Sequence, residues 1–239
     1  KHMHNALEYV DEVWAISSFV RDSIQPHTRK PVLVFPCPII APSISEKLDR
    51  DAIGISEQDE FNLFMFDYFS IFRRKNPLDL IEAHILAFPD ESGPKLIIKT
   101  INGQSHASQQ EQLKYAVGTR SDIIIINNYM SREQLHSLLS ECQTYISLHR
   151  SEGYGLTLAE AMSLGKPVIA TGYSGNMDFM NEQNSILVPY ELVSVGADAF
   201  PYDEDSRWAQ PNIEFAAKAM RELNGDAGLR TRIGNQARI

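Results

Sequence analysis

The chain is poor in cysteine, with only Cys37 and Cys142. Two cysteines cannot build a disulfide scaffold, and they suit a reducing compartment in which each acts as a small hydrophobic residue. The sequence also lacks an apolar run of the roughly 20 residues that a membrane-spanning helix needs. No charged segment followed by an apolar one opens the chain, so a secretory signal is not expected. We expect a cytoplasmic protein whose contact with the inner membrane face, if any, is peripheral.

Basic charge is also scarce. Lys and Arg number 22 against 31 Asp and Glu, which gives a net charge of −9. An acidic chain is poorly suited to nucleic acid, whose phosphate backbone favours a basic face, or to anionic membranes. Hydrophobic residues make up 43% of the 239 residues, which is enough for a packed core in one large domain or one and a half.

Short apolar runs alternate with helical patterns from about residue 61 onward. The runs are mostly continuous, as in strands that are buried on both faces of a parallel sheet. They lie at residues 61–66, 96–99, 123–126, 145–148, 167–170 and 185–188. Ser131 and Gln134 predict a capping box, and Asn76 followed by Pro77 predicts another capped helix start. The pattern predicts an α/β fold with a Rossmann-like, doubly wound parallel sheet.

The chain divides into three parts in this prediction. Residues 1–40 contain a short β-α-β unit, with strands at 12–16 and 31–35 and a helix at 19–24. Residues 41–58, which follow several prolines and are mostly polar, form a connector. Residues 59–239 form the larger domain, whose tail from about 206 is expected to be helical. Both ends suggest a piece of a longer protein.

The segment from residue 148 to 170 carries the chemistry. It has the pattern strand, glycine-containing turn, helix, strand. Ligands of open α/β sheets bind outside the carboxyl ends of the strands, where this turn lies. Gly153 and Gly155 allow the backbone to approach a ligand, and the following helix N-terminus suits phosphate. Glu152 and Glu160 could accept hydrogen bonds from hydroxyls on either side of a diphosphate, which is the layout that a nucleotide-sugar needs.

Each feature also has a plainer explanation. Two glycines in a β–α turn are a weak signal, and Glu160 could be an ordinary surface residue of its helix. His149, next to the turn, could touch a ligand but is expected to pack beneath the turn, and Cys142 is expected in the core. The Asp-x-Asp triplets at residues 49–51 and 203–205 lie in polar connecting segments and are interpreted as solvated surface. With no clustered histidines either, we predict neither a metal nor a cofactor.

Residues 148–180 as a whole resemble the Glu-x7-Glu region of the retaining glycosyltransferases of family 4, which have the two-domain GT-B fold. The resemblance extends upstream to residues 66–70 and 73–77 and downstream to residues 208–211. Residues 11–17 and 31–36 look like the end of the N-terminal domain of that family. The resemblance therefore spans nearly the whole chain. It implies that residues 1–40 end an acceptor domain and residues 59–239 form the domain that binds the nucleotide-sugar donor.

The resemblance also implies roles for individual residues. Glu152 would contact hydroxyls of the transferred sugar, Glu160 would hold the ribose, and Lys75 would neutralise the diphosphate leaving group. The donor would further meet the segment that follows Glu152, namely Gly153, Tyr154, Gly155, Leu156 and Thr157.

The second cation of the site is left open by the sequence. The family often has an arginine directly after a glycine here, but residues 67–69 are Asp, Tyr and Phe. Arg73 and Arg74 are therefore both candidates, with Ser70 on the same segment. The nucleotide base is expected near Asn128 and Tyr129, where the family resemblance implies contacts made largely by the backbone.

The function that the resemblance implies is transfer of a hexose to an acceptor hydroxyl with retention at the anomeric carbon. GDP-mannose and UDP-glucose are both plausible donors, and the acceptor would be a sugar, a lipid-linked species or another hydroxyl compound in polysaccharide biosynthesis. The acceptor side would come from the N-terminal domain of the same protein, so the chain alone is expected to be inactive or weakly active. Two alternatives are a non-catalytic nucleotide-sugar-binding module and a sugar-nucleotide epimerase or phosphorylase with a GT-B-like fold.

Overall fold

The structure is a computed structural model that describes residues 4–197 and 199–238. Its first part is the expected β-α-β unit, formed by β1 (Val13–Ala15), α1 (Ser18–Ile24) and β2 (Val32–Val34). The two strands pair in parallel, with Trp14 opposite Leu33. The role of this unit as the end of an acceptor domain stays a prediction.

The larger part is built on a six-stranded sheet, and the predicted fold class is confirmed. Its strands are β3 (Phe61–Asp67), β4 (Lys95–Ile101), β5 (Ile123–Asn127), β6 (Thr144–Ser147), β7 (Val168–Thr171) and β8 (Ile186–Val188). They lie in the order β5-β4-β3-β6-β7-β8, and every neighbouring pair is parallel.

Helices cover both faces of this sheet. They are α2 (Phe72–Lys75), α3 (Pro77–Ala87), α4 (Ala107–Val117), α5 (Arg132–Glu141), α6 (Leu156–Ser163), α7 (Ile213–Gly225) and α8 (Ala227–Ala237). Successive strand side chains point to opposite faces, so Phe64 packs in the core with α3, α4 and α7, whereas Leu63 packs in the core with α5 and α6. The second core also buries Leu48, Ile53 and Ile55, so the latter half of the expected connector packs against the sheet.

The predicted helical tail is wrong over its first residues. Residues 207–211 form strand β10 (Arg207–Pro211), which pairs antiparallel with β9 (Tyr190–Ser194), and helix begins only at Ile213. Trp208 is buried opposite Val193. Because its partner β9 ends well before β10 begins, residues 207–211 show no local hairpin signal. The sequence pattern therefore did not predict this strand.

The two predicted helix starts have different outcomes. The capping box of Ser131 and Gln134 is present at α5. At α3, Pro77 is the first helical residue, but Asn76 adopts a left-handed backbone and does not cap the helix. Its side-chain amide donates instead to Asp79 Oδ2 at 2.7 Å and to the Leu148 carbonyl at 2.8 Å. Asn76 therefore ties the α2–α3 corner to the carboxyl end of β6.

The order of strands fixes where a ligand can bind. From β3 the chain continues to β4 on one side, and from β6 it continues to β7 on the other side. Such a reversal opens a crevice outside the carboxyl ends of the two adjacent strands. The segments that follow β3 and β6 carry Lys75 and Glu152. No helix among the described residues is long and apolar enough to cross a membrane.

Candidate active site

Three charged side chains meet in this crevice. Lys75 Nζ donates to Glu152 Oε1 at 2.6 Å, and Arg74 Nη1 donates to Glu152 Oε2 at 3.1 Å. The Lys75 and Arg74 side chains are each 14% exposed, and that of Glu152 is 11% exposed. Glu152, Lys75 and Arg74, one of the two candidate arginines, are thus brought together from α2 and from the segment after β6, which lie far apart in the chain.

The electrostatics of the cluster favour an anion. Burial pushes the pKa of the Glu152 carboxyl upward, but the surrounding basic groups, Lys75 first among them, outweigh burial and hold that pKa below its ordinary value. Glu152 is therefore ionised at neutral pH. Two cations beside one carboxylate leave one positive charge in a largely desolvated site.

Strained backbone lies on both sides of Glu152. Ile71 has φ 66° and ψ 104°, and its carbonyl accepts hydrogen bonds from the N–H groups of Arg74 and Lys75. Ser174 has φ 79° and ψ −149°, and its Oγ accepts from the Glu152 N–H at 2.7 Å. Non-glycine residues in such regions cost about 1–3 kcal/mol and cluster at functional sites. The strain therefore marks the same crevice as the charges.

Two glycines shape the loop between β6 and α6. Gly155, with φ +95°, turns the chain into the first turn of α6. Gly175 packs so closely against this loop that a Cβ would lie 2.1 Å from the Gly153 carbonyl oxygen. The first turn of an α-helix has N–H groups without helical partners, and at α6 these belong to residues next to Glu152. The arrangement can hold a phosphate between α6 and the two cations.

The structure separates the two arginines that the sequence left as alternatives. Arg73 donates to the carbonyls of Ala197 at 2.6 Å and Val195 at 3.0 Å, and its guanidinium lies 5.2 Å from the Trp208 ring centroid. It thus faces the β9–β10 connection rather than Glu152. Arg74 points the other way, with its Nε bonded to the Ser70 carbonyl at 3.1 Å.

The remaining predicted donor residues of this loop follow Glu152 directly. The Tyr154 side chain is buried, with its ring centroid 5.1 Å from that of Phe179. Leu156 is 50% exposed and Thr157 is half-buried at the start of α6. Their contacts with a donor stay predictions.

Glu160 lies one helical turn further along α6 and is half-buried. Within the described residues, no hydrogen bond or ion pair engages its carboxylate. Burial raises the pKa of the Glu160 carboxyl, although the charges of His136 and Arg132 oppose this shift. A half-buried, unpaired carboxylate destabilises the free protein and is available to the hydroxyls of a ligand.

This cost predicts a pH-dependent effect of Glu160→Gln. A carboxyl whose pKa is raised in the folded state destabilises the protein increasingly as the pH rises through that pKa. The glutamine variant should therefore be more stable than the parent chain at pH 7, with the difference vanishing below about pH 4. Urea unfolding at pH 7 and pH 4 measures this difference. A variant that is less stable at pH 7 would contradict the proposed burial cost.

Asn128 and Tyr129 lie apart from the charged cluster. The Asn128 carbonyl accepts a hydrogen bond of 2.7 Å from Lys99 Nζ, and Tyr129 is 79% exposed. Both line a cavity of about 230 Å³ whose other wall comes from residues 46–53. No described contact joins them to Glu152.

Lys99 is buried in β4, and burial lowers the pKa of its side chain. By donating to the Asn128 carbonyl it holds the loop after β5 in place. The sequence analysis did not identify this role, although a lysine within an apolar strand was a signal for it.

Further support for the loops comes from His149 and Arg150. His149 is fully buried, as expected, and its Nε2 lies 3.1 Å from Asn176 Oδ1. Burial lowers the pKa of its imidazole, so it is neutral. Arg150 donates to the Arg73 carbonyl at 2.8 Å and to Gln210 Oε1 at 2.8 Å. These residues position the loops, and the sequence analysis did not anticipate the role of Arg150.

The acidic triplets lie outside this site. Asp49 Oδ1 accepts from the Ala52 N–H at 3.0 Å, and residues 203–205 are exposed. In the part of the chain that the structure describes, no group of three or more His, Cys, Asp or Glu side chains is placed to hold a metal ion. A metal-free and cofactor-free site stays a prediction.

Comparison with known families places the chain among the glycosyltransferases. Residues 47–194 match the family model "Glycosyl transferases group 1", and the chain belongs to this family. Its fold also matches GT-B glycosyltransferase structures.

Three relatives illustrate the similarity. The Bacillus subtilis protein described as "Uncharacterized glycosyltransferase YqgM" is 21% identical over 193 residues, which is 80% of this chain and 51% of YqgM. A TarM structure from S. aureus, in complex with UDP among other ligands, has a TM-score of 0.68 at 15% identity and covers 99% of this chain and 41% of TarM. The C-terminal domain of the group 1 glycosyltransferase LpcC from Francisella tularensis has a TM-score of 0.58 at 18% identity and covers 83% of this chain and 91% of that domain. The chain thus spans about half the length of YqgM.

Proposed function

We propose that the chain is the C-terminal, donor-binding part of a retaining glycosyltransferase that transfers a hexose from a nucleoside diphosphate sugar to an acceptor hydroxyl. The observation that carries this proposal is the meeting of Lys75, Arg74 and Glu152 beside the N-terminus of α6. The similarity to the LpcC C-terminal domain supports the assignment to this part of the enzyme. GDP-mannose and UDP-glucose are the donors to test first, with a sugar or lipid-linked acceptor of polysaccharide biosynthesis.

The cations act on the leaving group. Breaking the bond between the anomeric carbon and the phosphate oxygen puts negative charge on the diphosphate. Lys75 Nζ, the Arg74 guanidinium and the first N–H groups of α6 stabilise that charge, and their preorganised placement avoids a cost of rearrangement during the reaction. In this scheme the protein itself neutralises the leaving group.

The two glutamates hold opposite ends of the donor. Glu152, already desolvated in the cluster, accepts hydrogen bonds from hydroxyls of the sugar, which lies against Gly153 and Tyr154. The diphosphate meets the backbone of Gly155 and Leu156. Glu160, one helical turn along α6, takes the ribose hydroxyls with its unpaired carboxylate. The base lies toward Asn128 and Tyr129.

Retention follows from attack on the same face that the diphosphate leaves. The acceptor oxygen forms its bond to the anomeric carbon as the carbon–phosphate-oxygen bond breaks, and the acceptor proton passes to the departing diphosphate. The resemblance to retaining enzymes supports this step. The acceptor wall belongs to the N-terminal domain, of which residues 1–40 are the end. The chain alone should therefore bind donor but transfer little or no sugar.

Calorimetric titration of two glutamate variants tests the division of roles. Glu160→Gln should weaken both free nucleoside diphosphates and sugar donors by about 3- to 10-fold, the effect of one hydrogen bond. Glu152→Gln should weaken only the sugar donors, because its loss leaves Lys75 and Arg74 free for the diphosphate. Titrants are UDP, GDP, UDP-glucose, GDP-mannose and glucose 1-phosphate.

A control and a competing outcome complete this test. Glu182→Gln changes an exposed carboxylate outside the crevice and should alter none of the affinities. Equal losses for diphosphate and donor in both site variants would contradict the division of roles. Binding of glucose 1-phosphate but of no nucleoside diphosphate sugar would favour a phosphorylase.

A further inference from the structure

Helix α1 of the first unit touches the loop that carries Glu152. Ser17, immediately before α1, donates a hydrogen bond from its Oγ to the Gly153 carbonyl at 2.5 Å. Ser17 is fully buried, and its Oγ also accepts from the Val20 N–H at 3.2 Å. The hydroxyl therefore caps α1 and holds the loop at the same time.

The backbone around Glu152 is otherwise held from within the larger domain. The Glu152 N–H donates to Ser174 Oγ, and the Glu152 carbonyl accepts from the Gly175 N–H at 3.0 Å. The next carbonyl, that of Gly153, accepts only the Ser17 hydroxyl among the described residues. Because Gly175 packs directly on this carbonyl, losing the hydroxyl would leave a crowded and unpaired acceptor.

A second set of contacts seats the start of α1. The Ser18 N–H donates to Asp178 Oδ2 at 2.7 Å, and the Phe19 ring lies 5.4 Å from the Tyr173 ring in an edge-on arrangement. A carboxylate at the first turn also suits the positive end of the helix. Tyr173 and Asp178 flank the 174–175 turn, whose Ser174 binds the Glu152 N–H. Helix α1 and Ser17 therefore contact both this turn and the loop between β6 and α6.

We propose that Ser17 is a positioning residue for the donor loop, and that Asp178 holds α1 in the place where Ser17 can act. Ser17 fixes the Gly153 peptide and, through it, the directions of the Glu152 and Tyr154 side chains on either side. Docking of the first unit on the larger domain thereby sets the affinity for the sugar part of the donor. That this loop binds the sugar of the donor rests on the proposed function, whereas the hydrogen bond between Ser17 and Gly153 does not.

Hydrogen exchange of the ligand-free chain tests the positioning without any donor. Ser17→Ala should speed amide exchange at residues 152–154 by about 3- to 10-fold, as for loss of one hydrogen bond. Ser17→Thr keeps the hydroxyl at an extended backbone (φ −155°) that β-branched residues favour, and it should restore slow exchange. Ser23→Ala is the matched control, because Ser23 Oγ bonds only the Phe19 carbonyl within α1.

Affinities for UDP, GDP, UDP-glucose and GDP-mannose test the consequence. Ser17→Ala and Asp178→Ala should weaken the sugar donor by about 3- to 10-fold while changing the free diphosphate less than about 2-fold. Unchanged loop exchange in Ser17→Ala, or faster exchange with unchanged donor affinity, would overturn the role of Ser17. A parent chain that keeps slow loop exchange yet binds none of the four ligands would instead overturn the proposed function.

Discussion

Replacing Lys75 with alanine is expected to weaken nucleoside diphosphate binding by about 1.5–3 kcal/mol, the range for a hydrogen bond to a charged group. This loss corresponds to roughly 10-fold or more in affinity. The Lys75 ammonium is desolvated and fixed 2.6 Å from Glu152, so its charge acts in a site where water screens it weakly. Titration calorimetry with UDP and GDP measures the change.

Two further variants make this result specific. Lys75→Met keeps the length of the side chain without its charge and should lose as much affinity as Lys75→Ala. Arg73→Ala removes a neighbouring cation that binds the Val195 and Ala197 carbonyls, and it should leave diphosphate affinity nearly unchanged. Undiminished binding by both Lys75 variants would remove this residue from the donor site.

Replacing Gly175 with alanine is expected to cost about 2–3 kcal/mol of folding free energy, the upper part of the range for overpacking. The added Cβ would lie 2.1 Å from the Gly153 carbonyl oxygen and 2.5 Å from its carbon, which are backbone atoms that cannot turn aside. The glycine loop must shift, so donor binding should fall as well. Urea unfolding followed by circular dichroism gives the change in stability.

Gly225 supplies the matched control for this substitution. It ends α7, and a methyl group added there would have no neighbour within 4 Å, so Gly225→Ala should change stability by less than about 0.5 kcal/mol. A Gly175→Ala chain as stable as Gly225→Ala would contradict the close packing of the 174–175 turn on the donor loop.

The parallel sheet could be predicted because buried parallel strands are continuous apolar runs, which residues 123–126 and 167–170 display directly. The pairing of β9 with β10 could not, because it joins segments separated by a long loop and depends on burial of Trp208. The left-handed backbone of Asn76 could not be predicted either, because an asparagine before a proline is equally typical of an ordinary helix N-cap.

At the candidate site, the glycine turn and its two glutamates could be named from the sequence because they lie in one segment that resembles a family motif, and their roles stay predictions. The choice between Arg73 and Arg74 was not, because it depends on how the strained backbone at Ile71 rotates the first turn of α2. The hydrogen bond between Ser17 and Gly153 could not be predicted from the sequence either, because it joins residues of the two units that lie far apart in the chain. Sequence patterns thus identified the charged groups, whereas tertiary packing determined which of them meet.

Crystal structures of the chain with UDP-glucose and with GDP-mannose test the donor site most directly. The account predicts that the bound donor places its diphosphate about 2.7–3.2 Å from Lys75 Nζ and from the first N–H groups of α6, with the sugar beside Glu152 and the ribose at Glu160. A donor bound instead in the separate cavity of about 680 Å³ lined by Phe69, His106 and Phe200, with the crevice at Glu152 unchanged, would contradict it.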